Sequence, residues 1–290
     1  MTSPPIQWYP GHIAKAEKAL KEQLKLVDVV LEVRDARIPL ATHHPQVPQW
    51  VGSKMRVLVL NRVDMITSQT RQLWTEWFRA QGEEPYYTNA QDGNGVAAVA
   101  QAALRAGVEI NQRRRDRGML PRAVRAVVIG FPNVGKSALI NRLLKRRAME
   151  SAARPGVTRQ LRWVRIEHLE LLDAPGVIPV KLGDQTAALK LAICDDIGDA
   201  SYDNQRVAVV LLNLLKQLDS YSVGFLPEHP LQARYGIDPT YLTDEDYLHT
   251  LAEQRHKGDV ERTARQLLTD FRKGLLGPLP LELPPSYYGG

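Results

Sequence analysis

The sequence is poor in cysteine and has no long apolar run. Its one cysteine, Cys194, excludes an intrachain disulfide and a metal site built from several cysteines, and it favours a reducing compartment. No stretch approaches the ~20 consecutive apolar residues that a membrane-spanning helix requires. Residues 1–7 lack the charged-then-apolar pattern of an export signal. We therefore expect a protein with no membrane segment that is not exported.

The chain is nevertheless long and apolar enough to build a core. It has 290 residues, of which 44% are hydrophobic, sufficient for one large domain or two modest ones. We expect a globular protein.

Charge is distributed unevenly along the chain, whose net charge is +6. Residues 1–183 hold 28 Lys and Arg against 16 Asp and Glu, whereas residues 184–290 hold 10 against 16. Residues 111–165 hold 15 basic residues against Asp116 and Glu150 alone. This density predicts a surface that faces a polyanion, although a solvated charged linker would have the same composition. Two clusters stand out: Arg113, Arg114, Arg115 and Arg117, and then Lys145, Arg146 and Arg147.

Strand-like and helix-like stretches alternate over the first two thirds of the chain, which is typical of a doubly wound, mostly parallel α/β sheet. Short runs rich in β-branched residues predict strands, and the longer stretches between and after them predict helices. The predicted strands are 27–33, 56–60, 84–88, 123–129, 161–166 and 170–172, and the predicted helices are 68–80, 96–111 and 136–147.

Beyond residue 183 the pattern is helical only. Thr243 and Asp246 have the spacing of a helix-capping pair, apolar residues recur at helical spacing over 260–275, and the tail from Gly277 is expected to be extended. We therefore predict a domain over residues 1–183, with an N-terminal segment 1–25 and a basic linker at about 111–123. A small all-helical domain with an extended tail follows over 184–290.

One stretch has the full sequence of a phosphate-binding loop between a predicted strand and helix: Gly130-Phe131-Pro132-Asn133-Val134-Gly135-Lys136-Ser137. Gly130 and Gly135 allow the backbone to curl so that its N–H groups face phosphate oxygens. Lys136 is expected to reach the β- and γ-phosphates, and Ser137 is expected to bind Mg²⁺.

Two further stretches complete the predicted phosphate and metal site. Asp173-Ala174-Pro175-Gly176 ends a predicted strand, so that Asp173 is expected to contact Mg²⁺ through water and Gly176 to donate its N–H to the γ-phosphate. Pro155-Gly156-Val157-Thr158 is predicted to be a loop that brings Thr158 to the metal when the γ-phosphate is present.

A fourth stretch, Asn61-Arg62-Val63-Asp64, indicates guanine specificity because a carboxylate accepts hydrogen bonds from guanine N1–H and N2–H₂, which adenine does not offer. Asn89-Ala90 would place the Ala90 N–H on guanine O6. The full predicted nucleotide-binding set is Asn61, Arg62, Asp64, Asn89, Ala90, Asn133, Val134, Gly135, Lys136, Ser137, Ala138, Pro155, Gly156, Thr158 and Gly176.

These motifs resemble those of TRAFAC GTPases, but the base-specific pair precedes the phosphate-binding elements, which is the circularly permuted order. With three further segments, 8–16, 35–39 and 258–274, the chain resembles the ribosome biogenesis GTPase A (YlqF) family over roughly residues 6–280. The resemblance implies a permuted P-loop GTPase domain followed by a helical domain. It also implies a role in assembling the large ribosomal subunit through contact with rRNA. Arg62 stands where the family usually has Lys, and its stem and planar head could still cover the guanine face.

Hydrolysis needs a group that positions the attacking water. Ras-like enzymes use a glutamine directly after the Asp-x-x-Gly motif, and Val177 occupies that position here. The resemblance suggests His12 instead, and it suggests that Asn133 helps to bind K⁺ near the scissile phosphate. The predicted catalytic residues are thus His12, Lys136, Thr158 and Gly176, with Ser137, Thr158 and Asp173 at Mg²⁺.

We expect a slow GTPase switch that binds a large-subunit precursor and its rRNA in the GTP form, hydrolyses GTP once docked, and leaves. The alternative is a nucleotide-gated RNA-binding scaffold in which hydrolysis is incidental. An ATP-dependent kinase sharing only the phosphate-binding loop is disfavoured by Asp64. We expect a monomer in the cytoplasm, or in an organelle if a targeting segment has been removed.

Overall fold

The structure is a computed structural model that describes residues 10–145, 162–166, 168–174, 176, 184–197, 202–221 and 229–287. These residues form two compact units. The first contains the chain up to Val63 and then from Phe78 to Gly176, and the second contains Asp64–Trp77 with the chain from residue 184 onward. The domain limits expected from the sequence stay a prediction.

The first unit contains a six-stranded sheet in the order β3-β2-β1-β4-β6-β5. Its strands are β1 (Val29–Asp35), β2 (Met55–Asn61), β3 (Pro85–Thr88), β4 (Val124–Ile129), β5 (Arg162–Ile166) and β6 (Leu169–Asp173). All neighbouring pairs are parallel except β5 and β6, which are antiparallel. The predicted α/β alternation is confirmed. Strand β1 ends at Asp35 and not at Val33, so the polar residues expected to follow the strand are its last residues.

The helices in the first half of the chain are α1 (Pro10–Leu24), α2 (Val47–Val51), α3 (Ser68–Ala80), α4 (Val96–Asp116) and α5 (Lys136–Lys145). The prediction of a basic linker from residue 111 was wrong for 111–116, because α4 continues through Asp116. Arginine is a good helix former, and cations near a helix C-terminus interact favourably with its dipole. The arginines at 113–115 therefore lie on the last turns of α4.

Helices α1 and α2 cover one face of the sheet. Leu20 and Leu24 lie four residues apart on α1, and Val47 and Val51 have the same spacing on α2, so each pair projects from one side of its helix. All four are buried with apolar side chains of β4 and β6: Val127, Ile129 and Leu172. This layer fixes the two strands that lead into the predicted phosphate and metal site.

A buried carboxylate lies in the middle of the central strand. Glu32 is 1% exposed and accepts hydrogen bonds from Arg34 Nε, His43 Nδ1 and Arg56 Nη1, each at 2.8 Å. Burial alone would raise the pKa of Glu32, but the Arg34 charge and the hydrogen bonds from His43 and Arg34 lower it well below its ordinary value. The ionised carboxylate therefore joins β1, β2 and the loop that follows β1.

The second unit is built from helices α6 (Gln185–Cys194), α7 (Asn204–Tyr221), α8 (Pro230–Tyr235), α9 (Asp244–His256) and α10 (Val260–Arg272). The predicted capping pair is confirmed, since Thr243 Oγ1 accepts from the Asp246 N–H at 3.0 Å and donates to its carboxylate at 2.7 Å. Asp184 and Asp259 also cap helices, because their carboxylates accept hydrogen bonds from backbone N–H groups in the first turns of α6 and α10. None of the helices that the structure describes is long and apolar enough to cross a bilayer.

The tail after Gly277 carries no helix or strand until a short 3-10 turn at Pro285–Tyr287, as expected for an extended segment. It is nevertheless buried in the second unit: Leu279, Leu281 and Leu283 are each at most 1% exposed. The Trp74 indole N–H donates to the Glu282 carbonyl at 3.4 Å. The tail therefore packs against the segment Asp64–Trp77, although Trp74 and Glu282 are 208 positions apart in the chain.

We predict that Glu32→Gln destabilises the protein strongly. The substitution leaves the guanidinium groups of Arg34 and Arg56 without their shared carboxylate, and breaking such a buried pair typically costs about 3–5 kcal/mol. Because the pKa of Glu32 is lowered in the folded state, its contribution is present above the ordinary value of 4.5 and is lost as the pH falls below it.

The matched control is Glu84→Gln, because Glu84 forms an exposed ion pair with Arg79 at 2.8 Å. Removing an exposed pair changes the free energy of unfolding by about 0–1 kcal/mol. Urea unfolding at neutral pH measures both variants, and equal effects would contradict the role assigned to Glu32.

Candidate nucleotide-binding site

Four loops that carry predicted site residues meet at one edge of the sheet. The phosphate-binding loop follows β4, Asp173 is the last residue of β6, Asn61 is the last residue of β2, and Asn89-Ala90 follow β3. These four strands are parallel in the sheet order β3-β2-β1-β4-β6. Ligands of open α/β sheets bind at the carboxyl ends of the strands, so the residues converge where a nucleotide is expected.

The phosphate-binding loop has a backbone that only glycine allows at two positions. Gly130 and Gly135 have φ angles of 148° and 100°. A Cβ on Gly130 would lie 2.2 Å from the Val33 carbonyl oxygen, and one on Gly135 would lie 2.1 Å from Asn61 Nδ2. The two glycines therefore let the loop curl tightly against β1 and β2, which confirms the geometric reason for their presence.

Lys136 begins α5 and turns its side chain back into the loop. Its Nζ is buried and donates to the carbonyl oxygens of Gly130 at 3.1 Å and Phe131 at 2.6 Å. The ammonium thus lies inside the curl, beside the N-terminus of a helix whose first N–H groups point the same way. This combination of a fixed cation and a helix N-terminus fits the phosphates of a nucleotide.

Two oxygen-bearing side chains meet beside Lys136. Ser137 Oγ donates to Asp173 Oδ2 at 3.3 Å, although they are far apart in sequence. Hydroxyl and carboxylate oxygens are the ligands that Mg²⁺ prefers, so the pair fits this ion. A Cβ on Gly176 would lie 2.7 Å from the Pro132 nitrogen, so the backbone of Gly176 lies directly against the phosphate-binding loop.

Asn61 joins three separate stretches of the site. Its Nδ2 donates to the Val134 carbonyl at 2.8 Å, and its Oδ1 accepts from Thr88 Oγ1 and from the Ala90 N–H, both at 3.0 Å. The side chain is 3% exposed. The sequence indicated a nucleotide contact for Asn61 but not this bridging role, and the Ala90 N–H expected on guanine O6 donates to Asn61 in this structure.

Arg62 is held over the phosphate-binding loop. Its backbone has a φ angle of 62°, its Nη2 donates to the Asn133 carbonyl at 2.9 Å, and its Nε lies 3.6 Å from Asp35 Oδ2. Asn133 has a left-handed φ of 55°. The Arg62 head is therefore anchored to the phosphate-binding loop and to the end of β1.

Asp35 forms an ion pair with Arg62, a role that the sequence did not reveal. It is fully buried and holds the equally buried Arg37 through two hydrogen bonds, from Nε at 3.0 Å and Nη2 at 2.7 Å. Burial alone would raise the pKa of Asp35, but the charge and hydrogen bonds of Arg37, with the charge of Arg62, lower it. An ionised Asp35 therefore balances two arginines at the end of β1.

The other predicted residues are less engaged. Asn89 uses its side chain to brace its own loop, donating to Asp92 and accepting from the Gln91 N–H at 3.0 Å each. Asp64 lies exposed in a short 3-10 turn at Val63–Met65, and Ala138 lies in the first turn of α5.

Several predicted residues lie outside the described part of the chain: Pro155, Gly156, Thr158, Val177, Arg146 and Arg147. His12 lies in the first turn of α1. Their proposed roles stay predictions.

The fold and the site define the class of protein. Strand β2, which ends in the base-specific motif, precedes the phosphate-binding strand β4 in the chain, yet both end at one edge of the sheet and are linked through Asn61. The chain is a P-loop GTPase whose motifs are circularly permuted.

Comparison with known proteins identifies the family. The family described as "50S ribosome-binding GTPase" matches residues 125–224. The ribosome biogenesis GTPase A of Bacillus cereus is 35% identical over 97% of this chain and 95% of its own, and that of Thermotoga maritima is 32% identical over 96% and 95%. The chain therefore belongs to the ribosome biogenesis GTPase A family, and it is a GTP-hydrolysing assembly factor.

A mitochondrial relative and two solved structures are also similar to this chain. The mitochondrial ribosome-associated GTPase 1 of Bos taurus is 30% identical over 95% of this chain and 88% of its own. A GDP-bound structure of YlqF has a TM-score of 0.64 at 24% identity, covering 92% of this chain and 99% of that one. A GNP-bound structure of YlqF from Thermotoga maritima has a TM-score of 0.63 at 24% identity, covering 93% and 99%. These structures share the fold.

We predict that Asn61→Ala weakens the binding of GTP and GDP alike. The variant loses three hydrogen bonds that set the relative positions of the loops, and at about 0.5–1.5 kcal/mol each this corresponds to a roughly 10- to 1000-fold loss of affinity. Titration with fluorescent GTP and GDP analogues measures the change.

Asn213→Ala on α7 is the control, because Asn213 pairs with Asp244 within the second unit at 3.0 Å. It should bind nucleotide as the unsubstituted protein does. Unchanged affinity in Asn61→Ala would show that the bridging hydrogen bonds are not needed to form the site.

Proposed function

We propose that this GTPase acts on the precursor of the large ribosomal subunit: it binds the particle in the GTP form, contacts rRNA, and leaves after hydrolysis. The observation that carries the proposal is a basic surface on the same unit as the nucleotide site. The relatives named for ribosome biogenesis align with nearly the whole chain, which supports the same kind of particle as partner.

The basic surface is the end of α4 and the loop that follows it. Arg113, Arg115 and Arg117 are exposed, and the acidic Asp116 among them accepts a hydrogen bond from Gln112 at 2.9 Å. Arg114 Nε donates to the Leu120 carbonyl at 3.0 Å, which ties the loop to the helix. Closely spaced arginines on a rigid helix end suit the phosphates of a folded RNA, and binding there should weaken steeply as salt rises.

Mg²⁺ is the proposed metal, with Ser137 as ligand, Asp173 acting through water and Thr158 joining them in the GTP form. The ion would supply positive charge at the phosphate oxygens during transfer to water. Lys136 is proposed to bind the phosphates, and the Gly176 N–H is proposed to donate to the γ-phosphate. The contact between Gly176 and the phosphate-binding loop supports this role.

His12 is the proposed residue that orders the attacking water, because Val177 has no polar group for this task. Asn133 is proposed to help bind K⁺, whose charge would offset that developing between the β- and γ-phosphates. Its left-handed backbone, held by Arg62, supports a fixed placement of this loop position. We further propose a monomer that works in the cytoplasm or in an organelle.

Guanine selection is proposed to rest on Asp64, with the Ala90 N–H near O6 and Arg62 beside the base. Asp64 is exposed at the carboxyl end of β2, three residues after the anchored Asn61.

We expect large ribosomal subunits to stimulate GTP hydrolysis several-fold or more in K⁺ buffer and much less in Na⁺ buffer. His12→Ala should abolish the stimulated rate while nucleotide affinity is retained, because the residue orders water and does not bind GTP. Loss of one such group typically costs about 10²–10⁴-fold. Phosphate release measured with and without subunits tests both points.

The exposed His249 on α9 provides the control, and His249→Ala should keep the stimulated rate. A protein that binds GTP tightly but ignores subunits would remove the ribosomal proposal and leave the GTPase in place. Normal particle assembly with His12→Ala would favour the nucleotide-gated scaffold.

We expect Asp64→Asn to exchange base preference. The amide offers an N–H₂ donor where the carboxylate accepted, which fits the C2 carbonyl of xanthine and disfavours the exocyclic amine of guanine. Discrimination through the hydrogen bonds of one such polar group is about 10²-fold or more. Competition of GTP and XTP for the site measures the shift, and an unaltered preference for GTP would rule out Asp64 as the base-reading residue.

A further inference from the structure

An exposed tryptophan lies at the open edge of the sheet. Trp163 is 40% exposed on β5, the last strand in the sheet order. It pairs in register with Leu172, which in turn pairs with Val127, and both of these are fully buried beneath α1 and α2. The apolar row therefore continues onto β5, where Trp163 presents a ring to solvent.

A cation holds the orientation of this ring. The guanidinium carbon of Arg125 lies 5.9 Å from the ring centre of Trp163, and Arg125 Nε donates to Glu170 at 3.0 Å. The backbone register aligns Arg165, Glu170 and Arg125 in the neighbouring row across β5, β6 and β4. Arg125 is 42% exposed, so its charge remains accessible beside the ring.

The surroundings favour an anionic ligand. Arg165 and His168 are exposed, whereas the acidic Glu170 is paired with Arg125. An aromatic face flanked by guanidinium groups is the arrangement that binds an unpaired base by stacking and its phosphate by charge. A protein partner with an apolar anchor would gain nothing from this excess of positive charge.

We propose that Trp163, with Arg125 and Arg165, is a stacking platform for an unpaired base of single-stranded RNA. This inference deepens the proposed function, on which its biological role rests, by naming the form of RNA that is bound. The platform lies next to the metal site in register, since Arg162 on β5 pairs with Asp173 and Trp163 with Leu172.

The test measures the binding of a short fluorescein-labelled oligoadenylate to the full chain by fluorescence polarisation. It is done once with GDP present and once with a non-hydrolysable GTP analogue present. Trp163→Ala should weaken binding by roughly 5- to 150-fold, the equivalent of ~1–3 kcal/mol for one stacked base. Trp163→Phe keeps a ring and should stay within about threefold of the unsubstituted protein. An RNA duplex of the same length should be insensitive to Trp163→Ala.

Tyr241→Ala is the matched control, because Tyr241 is an aromatic residue that is 91% exposed on the second unit. It should leave oligonucleotide affinity unchanged. GTP affinity, measured in parallel, should be the same in all four proteins, which shows that each variant is folded.

Three results would overturn the platform: no oligoadenylate binding by the unsubstituted protein, equal binding by Trp163→Ala, or an equal loss in Trp163→Phe. Loss of binding to ribosomal particles by Trp163→Ala without loss of oligonucleotide binding would assign the surface to a protein partner and would also overturn it. Oligonucleotide binding that needs Trp163, in a protein that subunits fail to stimulate, would support the platform while the ribosomal proposal fails.

Discussion

The site depends on the hydrogen bonds of one amide side chain. Asn61 ties the end of β2 to the Val134 carbonyl and to the Thr88–Ala90 stretch, so that three loops distant in sequence keep fixed positions. The contact is needed because the base-specific and phosphate-binding elements are far apart in the chain, with 73 positions between Asn61 and Val134. The contact also requires glycine at position 135, because a Cβ on Gly135 would collide with the Asn61 amide.

A second constraint is the neutralisation of buried charge along β1. Glu32 and Asp35 face opposite sides of this strand, and each is surrounded by arginines: Arg34 and Arg56 around the first, Arg37 and Arg62 around the second. Carboxylates inside a parallel sheet are stable only when paired in this way. The strand that carries these charges also separates β2 from β4, and so it sets the spacing between base-specific and phosphate-binding motifs.

The sequence predicted those parts of the molecule that depend on residues close together in the chain. The phosphate-binding loop was recognisable because Gly130 and Gly135 stand at fixed spacing from Lys136 between a strand and a helix, and the Thr243 cap depends on residues three apart. The bridging of Asn61, the support of Arg62 by Asp35 and the exposure of Trp163 depend on which strands become neighbours, and single-sequence patterns do not contain that information. The end of α4 was misjudged for a different reason: a run of arginines has the same composition in a helix as in a linker.

The buried tail has a consequence for synthesis. Trp74 and Glu282 are 208 positions apart, so Leu73 and Trp74 are synthesised long before the segment that packs on them. During translation these side chains stay uncovered by that segment until it has left the ribosome. Contacts between such distant positions thus delay the closing of the second unit until the later segment is available.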